Sequence, residues 1–466
     1  MRPRPDSRAD DGIRTRDPHL GKVMRYQLRY VRVYAHQQAA QRGKPYPIPR
    51  LQAASGHRAA RHLRSTDSID NVSQAHPTTT TQSTPAQPSH SACEPAAWLG
   101  GMWATGLLER SSDAAVLDTH GRWAVSIDFE GRLTLARFAN WTAVDSLPTK
   151  HSSTEWAGPP AHRWQSSTSA DEYRRDVNAI RTEIARGNVY QVNLCRVMSA
   201  PLAQSTMPTG EAAPPDIMRL AQILARGNPA PYAGALSLPA TAAEPGVHIA
   251  CASPELFLSR QGRQLTSRPI KGTATPGSSF LDKDFAENIM IVDLVRNDLS
   301  IVAEPGSVTV PEFLHTEAHP GLVHLVSGVT ARLCPETSWA QIFAAAFPPG
   351  SVTGAPKSSA LRIISGLEPA PRGPYCGALG WIDADTGDGE LAVAIRTFWI
   401  DEHPLPGQSS DGCRHWLKFG TGAGITWGSD PDLEWRETEL KAAKLVGLAS
   451  SPVTDPSEGL YHDRLG

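Results

Sequence analysis

The chain has 466 residues, enough for two or three average domains or one large one. Hydrophobic residues make up 40% of it and the formal net charge is −2, so charge gives no reason to expect a nucleic acid or an acidic membrane as partner. No apolar run reaches the roughly 18 residues that a membrane span needs. The six cysteines are scattered without a CxxC pair, which favours reduced thiols in a cytoplasmic enzyme over a disulfide framework or a zinc site.

The first ninety or so residues differ from the rest. An Arg-rich stretch without helix or strand period is followed by the tract SQAHPTTTTQSTPAQPSHS, whose composition cannot bury enough apolar surface to order itself. We expect residues 1–92 to be a disordered or spurious extension, with the true start downstream, near Met102. A basic nucleic-acid-binding arm is the alternative. A transit peptide is disfavoured because the stretch contains acids such as Asp6 and Asp10.

The ordered pattern begins near Ala96. Residues 103–112 and 122–138 predict short strands, the latter with a turn at Glu130-Gly131. Residues 169–188 predict an amphipathic helix that stops at Gly187. Its apolar positions follow the helical period: Tyr173, Val177, Ile180 and Ile184. Further strands are predicted over 189–198, 233–240, 248–260 and 263–270.

In the second half of the chain, the predicted helices and strands do not alternate regularly. Helices are predicted over 282–300, 337–347, 354–368 and 430–449, the third ending at Gly366. The apolar positions of the first are Phe285, Ile289, Val292 and Val295. Strands are predicted over 322–333, 375–384, 390–400 and 414–427. Because strands cluster in runs, this order favours an α+β architecture with large antiparallel sheets.

Two of these helices carry acids at one-turn spacing. Asp284 and Glu287 are three residues apart on one, Glu434 and Glu437 on the other, and Lys441 follows on the same face. Four converging carboxylates would repel one another unless a hard cation joined them, and Mg²⁺ prefers oxygen ligands. Spacing alone favours solvated helix faces, because acids three residues apart are common on helices.

Glycine-rich segments suggest further contacts to an anion. Gly420, Gly422 and Gly424 precede the last helix and would let backbone N–H groups approach closely. The spacing matches neither a Walker loop nor a dinucleotide fingerprint. The loop FPPGSVTGAPK offers Thr353 and Lys357 as anion contacts.

Two polar residues sit in apolar strand patterns. Arg396 lies within ELAVAIRTFWI, where a charge is costly unless a carboxylate partner or ligand pairs with it. His324 lies within LVHLVSG, where a hydrogen-bonded core histidine is the alternative to a functional one.

Six motifs occur in order: RPIKGT, ENIMIVDLVRNDLS, FPPGSVTGAPK, YCGALGWID, AVAIRTF and FGTGAGI with DPDLEWRETELKAAKL. Together they resemble the chorismate-utilising enzyme family, over about residues 168–447 and more weakly over 97–167. The resemblance implies a large two-sheet, mainly antiparallel β-sandwich wrapped by helices. It implies an N-terminal part of the synthase fold over 93–167, a chorismate-binding catalytic domain over 168–450 and a tail over 451–466.

The resemblance implies a catalytic role for Lys271. Members that aminate chorismate at C4 read Pro-Ile-Lys-Gly-Thr at this turn, as here, whereas anthranilate synthases usually have alanine in place of the lysine. It implies that Lys271 attacks ring C2 and displaces the 4-hydroxyl, after which ammonia enters at C4 and expels the lysine. Attack needs a neutral amine, hence a pKa depressed by burial and nearby positive charge such as Mg²⁺.

The other roles follow from the same resemblance. Glu255 would be the acid that helps the hydroxyl leave, with a raised pKa, and His324 would join Lys271 and Glu255 in the catalytic set. Mg²⁺ would be held by Glu287, Glu434, Glu437 and Asp284. Substrate-binding positions would be Gln191, Thr273, Thr353, Tyr375, Arg396, Gly422, Ala423, Gly424 and Lys441. Gln191 stands where water-adding members carry a lysine base, and an amide cannot deprotonate water.

The implied reaction converts chorismate and ammonia to 4-amino-4-deoxychorismate, for 4-aminobenzoate and folate synthesis. The chain lacks a Gly-x-Cys-x-Gly elbow, so ammonia is expected from a separate glutaminase subunit. Anthranilate synthesis is the close alternative, and an inactive chorismate- or tryptophan-binding regulatory subunit is the non-enzymatic one. The segment WATGLLERSS lies where some members bind tryptophan, but Arg110 interrupts the usual Leu-Leu-Glu-Ser, which leaves tryptophan binding open.

Overall fold

The computed structural model describes residues 94–148, 156–202, 205–206, 212–213, 216–319, 322–409 and 413–450. All of them fall within one unit, Ser91–Gly466. The predictions made for residues 1–92 and 451–466 lie outside the described residues, and the boundary at 167/168 stays a prediction. None of the described helices is both long and apolar enough to cross a membrane.

Twenty strands are described. The first ten are β1 (Ala96–Leu99), β2 (Met102–Ser111), β3 (Arg122–Ile127), β4 (Leu133–Ala143), β5 (Gln165–Ser166), β6 (Gln191–Pro201), β7 (Ser205–Thr206), β8 (Ala212–Ala213), β9 (Tyr232–Leu238) and β10 (Val247–Ser253). The others are β11 (Leu256–Gln261), β12 (Gln264–Arg268), β13 (Ile270–Ala274), β14 (Thr309–His319), β15 (Leu322–Arg332), β16 (Gly354–Ala355), β17 (Ala378–Asp383), β18 (Gly389–Val393), β19 (Thr397–Asp401) and β20 (Trp416–Ile425).

Six α-helices accompany the strands in the described part of the chain. They are α1 (Ala170–Ala185), α2 (Ile217–Gly227), α3 (Asp282–Ser300), α4 (Trp339–Ala346), α5 (Lys357–Leu367) and α6 (Pro431–Ala449). Their starts follow from local chemistry. Ser169 and Glu172 form a capping box at α1, and Asp430 caps α6 just before Pro431.

All described pairings are antiparallel, and they join every described strand into one network except β7 and β8, which form a separate two-stranded ribbon. The order along the network is β6–β20–β19–β10–β9–β1–β2–β4–β3–β17–β18–β11–β12–β15, with β13 and β14 both beside β15. The predicted α+β, mainly antiparallel architecture is therefore confirmed, with its layers joined as one hydrogen-bonded network. The five described cysteines are free thiols, as predicted.

One part of the core lies between helices α2 and α6 and the strands β9, β10, β19 and β20. Ile217, Leu220 and Leu224 face it from α2, and the rings of Phe398 and Phe419 from the sheet, with centroids 4.6 Å apart. Burial of such side chains contributes about 1.5–3 kcal/mol each. This packing fixes α6 over β20 and so sets where the acids of α6 point.

The structure corrects several sequence predictions. Residues 390–400 do not form one strand: β18 and β19 are separated at Arg396, whose φ is +53°. The strand predicted over 414–427 is confirmed as the shorter β20, which contains the glycines at 420, 422 and 424. Helix α5 continues past Gly366 to Leu367. Periodicity does not report a backbone angle, so it could not reveal the break at Arg396, and a difference of one residue at a helix end is ordinary.

Helices α3 and α1 bury some but not all of the apolar positions predicted for them. In α3 the buried positions include Asn288, Ile291 and Asp298, whereas Phe285 and Ile289 are half-buried. The polar members of this face turn out to be hydrogen-bonded, which a hydrophobicity pattern cannot anticipate. In α1 the first three predicted positions are buried, but Ile184 is only half-buried. Helix α2 and strand β14 were not predicted at all, although Asp216 caps α2 in the usual way.

Gly420 tests how tightly the sheet packs. An added Cβ would stand 2.0 Å from Cγ of Tyr375, so we expect Gly420→Ala to lower the free energy of unfolding by about 2–3 kcal/mol. Gly366→Ala is the control, because nothing lies within 4 Å of its added methyl and an alanine in a helix should raise stability by up to about 1 kcal/mol. Denaturant unfolding measures both. Equal stability of wild type and Gly420→Ala would contradict the described contact.

Candidate active site

The predicted catalytic residues come from separate parts of the chain and gather at one place. Lys271 lies on β13, and its charge acts on three acids: Glu255, Glu287 and Glu437. These acids come from the β10–β11 connection, α3 and α6. A long-range fold therefore joins one amine and three carboxyl groups that are up to 182 residues apart in sequence (437 − 255).

Lys271 is set on an irregular piece of strand. The pairing of β13 with β15 shifts register between Ile270 and Thr273, so Lys271 and Gly272 form a bulge. Bulges bend a strand and re-aim its side chains. Gly272 adopts φ +99°, and an added Cβ would stand 3.0 Å from Cβ of Asp284. Glycine is required here both for the backbone angle and for the close approach of α3.

Glu255 is buried, with 4% of its surface exposed. Burial raises the pKa of this carboxyl to about 7, although the side chain of Ser351 and the charge of Lys271 partly offset the rise. A carboxyl that titrates near neutrality can both hold and release a proton under ordinary conditions. The predicted raised pKa is thus supported by the environment of Glu255.

The acids of α3 and α6 form a second group. Burial raises the pKa values of Glu287 and Glu434, and neighbouring carboxylates add to the rise. Burial alone would also raise the pKa of Glu437, but Lys441, Lys283 and Lys271 outweigh it and the pKa is lowered. The Lys441 Nζ to Glu437 Oε1 distance is 2.7 Å.

The donor set of this group suits a hard cation. The crowded, partly buried carboxylates carry like charges that a bound Mg²⁺ would compensate. Within the described ranges, no three His, Cys, Asp or Glu side chains already stand at metal-binding separation. The lysines around Glu437 provide the compensating charge in the arrangement described. The carboxylate of Asp284 accepts a hydrogen bond of 2.8 Å from the N–H of Leu281, so it caps α3.

Gln191 links the sheet to the acids. It is 1% exposed, and its Nε2 donates to Oε2 of Glu287 at 3.3 Å. Its Oε1 is buried and has no hydrogen-bond partner among the described residues. An added Cβ on Gly424 would stand 2.4 Å from Nε2, so the glycine makes room for this amide. A buried orphan acceptor indicates a place for an N–H or O–H donor from a ligand.

The rest of β20 supports the same region. The carbonyl of Gly422 accepts a hydrogen bond of 3.0 Å from Lys441, and an added Cβ on Gly422 would clash with Cys195 at 2.6 Å. Ala423 between the two glycines is fully buried. Small residues on this strand therefore allow side chains of β6 and α6 to lie directly against its backbone.

Arg396 stands out among the arginines. In the part of the chain that the structure describes, its guanidinium has no hydrogen-bond or ion-pair partner, and burial lowers its pKa. Its left-handed backbone angle makes the break between β18 and β19. Val393, at the end of β18, donates its N–H to the carbonyl of Glu255 at 3.0 Å. A half-buried cation close in the chain to the strand that contacts Glu255 is suited to bind an anionic ligand.

Other predicted site residues are hydrogen-bonded within the protein. His324 Nδ1 lies 2.9 Å from Oγ1 of Thr273, across the β13–β15 pair. The hydroxyl of Thr353 donates to the carbonyls of Pro349 and Gly350 at 3.1 and 3.2 Å. Burial raises the pKa of Tyr375 well above its usual value, which keeps the phenol neutral.

The predicted anion contact at Lys357 is wrong. Its Nζ forms an ion pair of 2.8 Å with Asp298 and donates to the carbonyl of Ala346 at 2.9 Å. Sequence reasoning also missed three residues near the site: Lys283, Ser351 and Asn288. Only Lys283 carried a signal, because it lies four residues before Glu287 on the same helix face.

Comparison with known proteins gives a consistent relationship. A family model described as chorismate binding enzyme matches residues 123–447. The anthranilate synthase component 1 of Streptomyces coelicolor is 36% identical over 295 residues, which cover 61% of this chain and 52% of that protein. The aminodeoxychorismate synthase component 1 of Klebsiella aerogenes is 33% identical over 348 residues, which cover 72% of this chain and 68% of that protein. The matches thus span from about half to about two thirds of these curated relatives.

The fold is shared with solved structures at lower identity. The menaquinone-specific isochorismate synthase of Escherichia coli superposes with a TM-score of 0.60 and 17% identity, over 78% of this chain and 90% of that chain. At this identity the likeness shows the fold alone. The names of the relatives divide among different reactions of chorismate, so similarity does not separate those reactions.

Glu255 makes the stability depend on pH. Its pKa rises from 4.5 to about 7 on folding, so folding favours the protonated form. This contribution is fully present below pH 4.5 and is lost as pH rises through about 7. We expect wild type to lose about 3 kcal/mol of unfolding free energy relative to Glu255→Gln between pH 4.5 and 8. Urea unfolding of both proteins at several pH values measures the difference, and parallel pH profiles would contradict the buried carboxyl.

Proposed function

The chain belongs to the family of chorismate binding enzymes, and from that premise we propose that it converts chorismate and ammonia to 4-amino-4-deoxychorismate. The observation that carries the proposal is the electrostatic interaction of Lys271 with Glu255: an amine on a bulged strand acts on a buried carboxyl whose pKa is about 7. An amine and a proton donor near each other are what a two-step substitution requires.

In the first step the neutral amine of Lys271 forms a bond to C2 of the ring. The ring double bonds shift, the C4–oxygen bond breaks, and Glu255 supplies the proton with which the hydroxyl leaves as water. In the second step ammonia forms a bond to C4, the double bonds shift back, and the C2–nitrogen bond to Lys271 breaks. Glu255 recovers a proton from the incoming ammonia, so the enzyme returns to its starting state.

We assign substrate binding to a cationic side chain without a partner among the described residues and to the small residues of β20. Arg396 would bind a carboxylate of chorismate, because its guanidinium finds no partner among the described residues. Gly422, Ala423 and Gly424 would leave room for the ring, while Thr273 and His324 would bound the pocket on the side of β13. Tyr375 and Thr353 would shape its wall.

Mg²⁺ held by Glu287, Glu434 and Glu437, with Asp284 near the same helix end, would neutralise the ring carboxylate and offset the acidic charge around Lys271. Of these, Glu287 and Glu434 have raised pKa values, which supports a need for positive charge. Lys441 pairs with Glu437 at 2.7 Å and would be released towards the substrate when the cation binds.

Gln191 favours ammonia over water as the second nucleophile. Its amide cannot act as a base, and its unpartnered Oε1 can accept a hydrogen bond from an N–H. This supports amination over the isochorismate reaction of the structural relative. The relatives are named component 1, which supports a separate subunit as the source of ammonia. We assign that subunit as a glutaminase.

Anthranilate synthesis is the second candidate, favoured by the 36% identity to an anthranilate synthase component 1. It would need no lysine nucleophile. An inactive regulatory subunit is the third candidate. The presence of all four residues of the proposed site argues against it: Lys271, Glu255, Glu287 and Glu437. Tryptophan binding stays a prediction. A single product assay separates the three.

We expect the purified full-length chain, given chorismate, Mg²⁺ and ammonium, to form 4-amino-4-deoxychorismate. Lys271→Ala should reduce its formation on the order of 10²-fold, because the covalent step is lost. Lys444→Ala, at an exposed position of α6, is the matched control and should retain activity. Chromatography with mass detection identifies the product. Release of anthranilate by wild type, unchanged in Lys271→Ala, would overturn the proposal, and absence of any product would favour the inactive subunit.

We also expect activity to vanish on chelation and to return with Mg²⁺. Glu287→Gln should raise the Mg²⁺ concentration for half-maximal activity by about tenfold or more, because a ligand charge is removed. Glu402→Gln, at an exposed position away from these acids, should leave it unchanged. Titration of activity with Mg²⁺ gives the values. Equal requirements in all three proteins would argue against a cation at Glu287.

A further inference from the structure

The bulge in β13 leaves the backbone of Lys271 outside the regular ladder. Pairing with β15 holds at Ile270 and resumes at Thr273, so the residues between lack ladder partners there. If the backbone were not held at this point, the position of the Lys271 amine relative to Glu255 and Glu287 would vary. Something other than the sheet must fix it.

Asn288 provides the missing contact. It is 1% exposed and follows Glu287 on α3. Its Nδ2 donates to the carbonyl of Lys271 at 3.4 Å and to the carbonyl of Leu325 at 3.1 Å. Its Oδ1 accepts the hydroxyl hydrogen of Ser327 at 2.6 Å. Because both carbonyls require a donor, only this orientation of the amide satisfies every atom.

Ser327 connects this amide to a second irregular strand. Its hydroxyl is fully buried and accepts the N–H of Leu314 at 3.0 Å. Leu314 lies in β14 at a register shift and adopts φ +54°, an unfavourable angle for leucine. The chain of hydrogen bonds thus runs from one bulge to the other: Leu314, Ser327, Asn288, Lys271.

A steric contact acts beside the hydrogen bonds. The absence of a Cβ on Gly272 lets the first turn of α3 approach, since an added Cβ would stand 3.0 Å from Cβ of Asp284. Lys271 is therefore attached on one side to the helix that carries Glu287. The backbone of Lys271 and the helix that carries Glu287 are thus held together by a hydrogen bond and by close packing.

We propose that Asn288, oriented by Ser327, is a positioning residue that fixes the backbone of Lys271 and so aims its amine. Its consequence for catalysis rests on the proposed function, in which Lys271 is the nucleophile. The positioning itself does not, and the two are tested separately. A misplaced nucleophile of this kind costs rate while the other substrate contacts remain.

The first experiment reads the placement of Lys271 without any reaction of chorismate. Competitive acetylation with acetic anhydride, quantified by mass spectrometry, compares Lys271 with exposed Lys444 in the same full-length molecule. We expect Asn288→Asp, which cannot donate to either carbonyl, to raise the relative rate at half-buried Lys271 by at least about twofold. Asn178→Ala, at an exposed asparagine of α1, should leave it unchanged. An unaltered ratio in folded Asn288→Asp overturns the proposal.

Ser327→Ala provides an independent route to the same end. This substitution keeps the side-chain amide of Asn288 but removes the hydroxyl that orients it. The acetylation rate of Lys271 relative to Lys444 should therefore rise, but by less than in Asn288→Asp. Thermal unfolding identifies variants that do not fold, and only variants with a cooperative transition are compared. If Asn288→Asp fails this criterion, Ser327→Ala decides, and an unaltered ratio there overturns the proposal equally.

The second experiment is a double-mutant cycle on product formation and chorismate affinity. We expect Asn288→Asp to lower kcat roughly 10- to 100-fold with little change in KM. In the Lys271→Ala background it should have almost no further effect, because its action passes through the lysine. Equal losses in both backgrounds would mean a general structural role and would overturn the proposal. If wild-type activity does not depend on Lys271, the proposed function fails while the acetylation result still stands on its own.

Discussion

Charge compensation in a poorly hydrated pocket is the constraint on which this site depends. Glu255 and Glu434 are buried and Glu287 is half-buried, and burial raises the pKa of each. Ionised carboxylates at such positions are costly unless paired. The fold meets that demand with lysines on three different elements, and it leaves Glu255 poised between its two protonation states. A pocket arranged in this way can exchange protons and bind cations without rearranging its core.

The rigidity of the pocket comes from arginines that do no chemistry. Arg372 is 1% exposed and donates to Glu368 and to the carbonyls of Val352 and Asn193, over the ring of Phe129. It thereby fixes the loop that carries Ser351 and Thr353. Arg196 is 3% exposed, stacks on Trp435 at 4.2 Å and pairs with Glu439, tying α6 to β6. Buried, fully bonded arginines hold backbone segments in one geometry, because any displacement breaks several hydrogen bonds together.

Strained backbone and close approach occur next to several groups assigned to the site. Arg396 adopts a left-handed angle, and Gly424 and Gly272 admit neighbours that a side chain would exclude. Such local departures cost free energy that the surrounding sheet must supply. They lie beside Gln191, Asp284 and the end of β18, next to groups that we assign to the site.

Much of this protein followed from its sequence alone. Long amphipathic helices such as α1, α3 and α6 were predicted because caps and a 3.6-residue period are local properties. The order of six motifs predicted the family, and the lysine in RPIKGT named the candidate nucleophile before any geometry was known. The thiols of the five described cysteines were likewise predicted to be free.

Tertiary structure decided the rest. The break at Arg396, the ion pair of Lys357 and the hydrogen bonds of Asn288 were not visible in the sequence, and the last two join groups far apart in the chain. Hydrophobic periodicity reflects only residues that are near one another in sequence. It cannot show whether folding brings hydrogen-bond partners to a polar residue such as asparagine. The chemistry of each side chain in this site depends on the groups that folding brings into contact with it. Those groups are distant in sequence, so a local sequence pattern does not identify them.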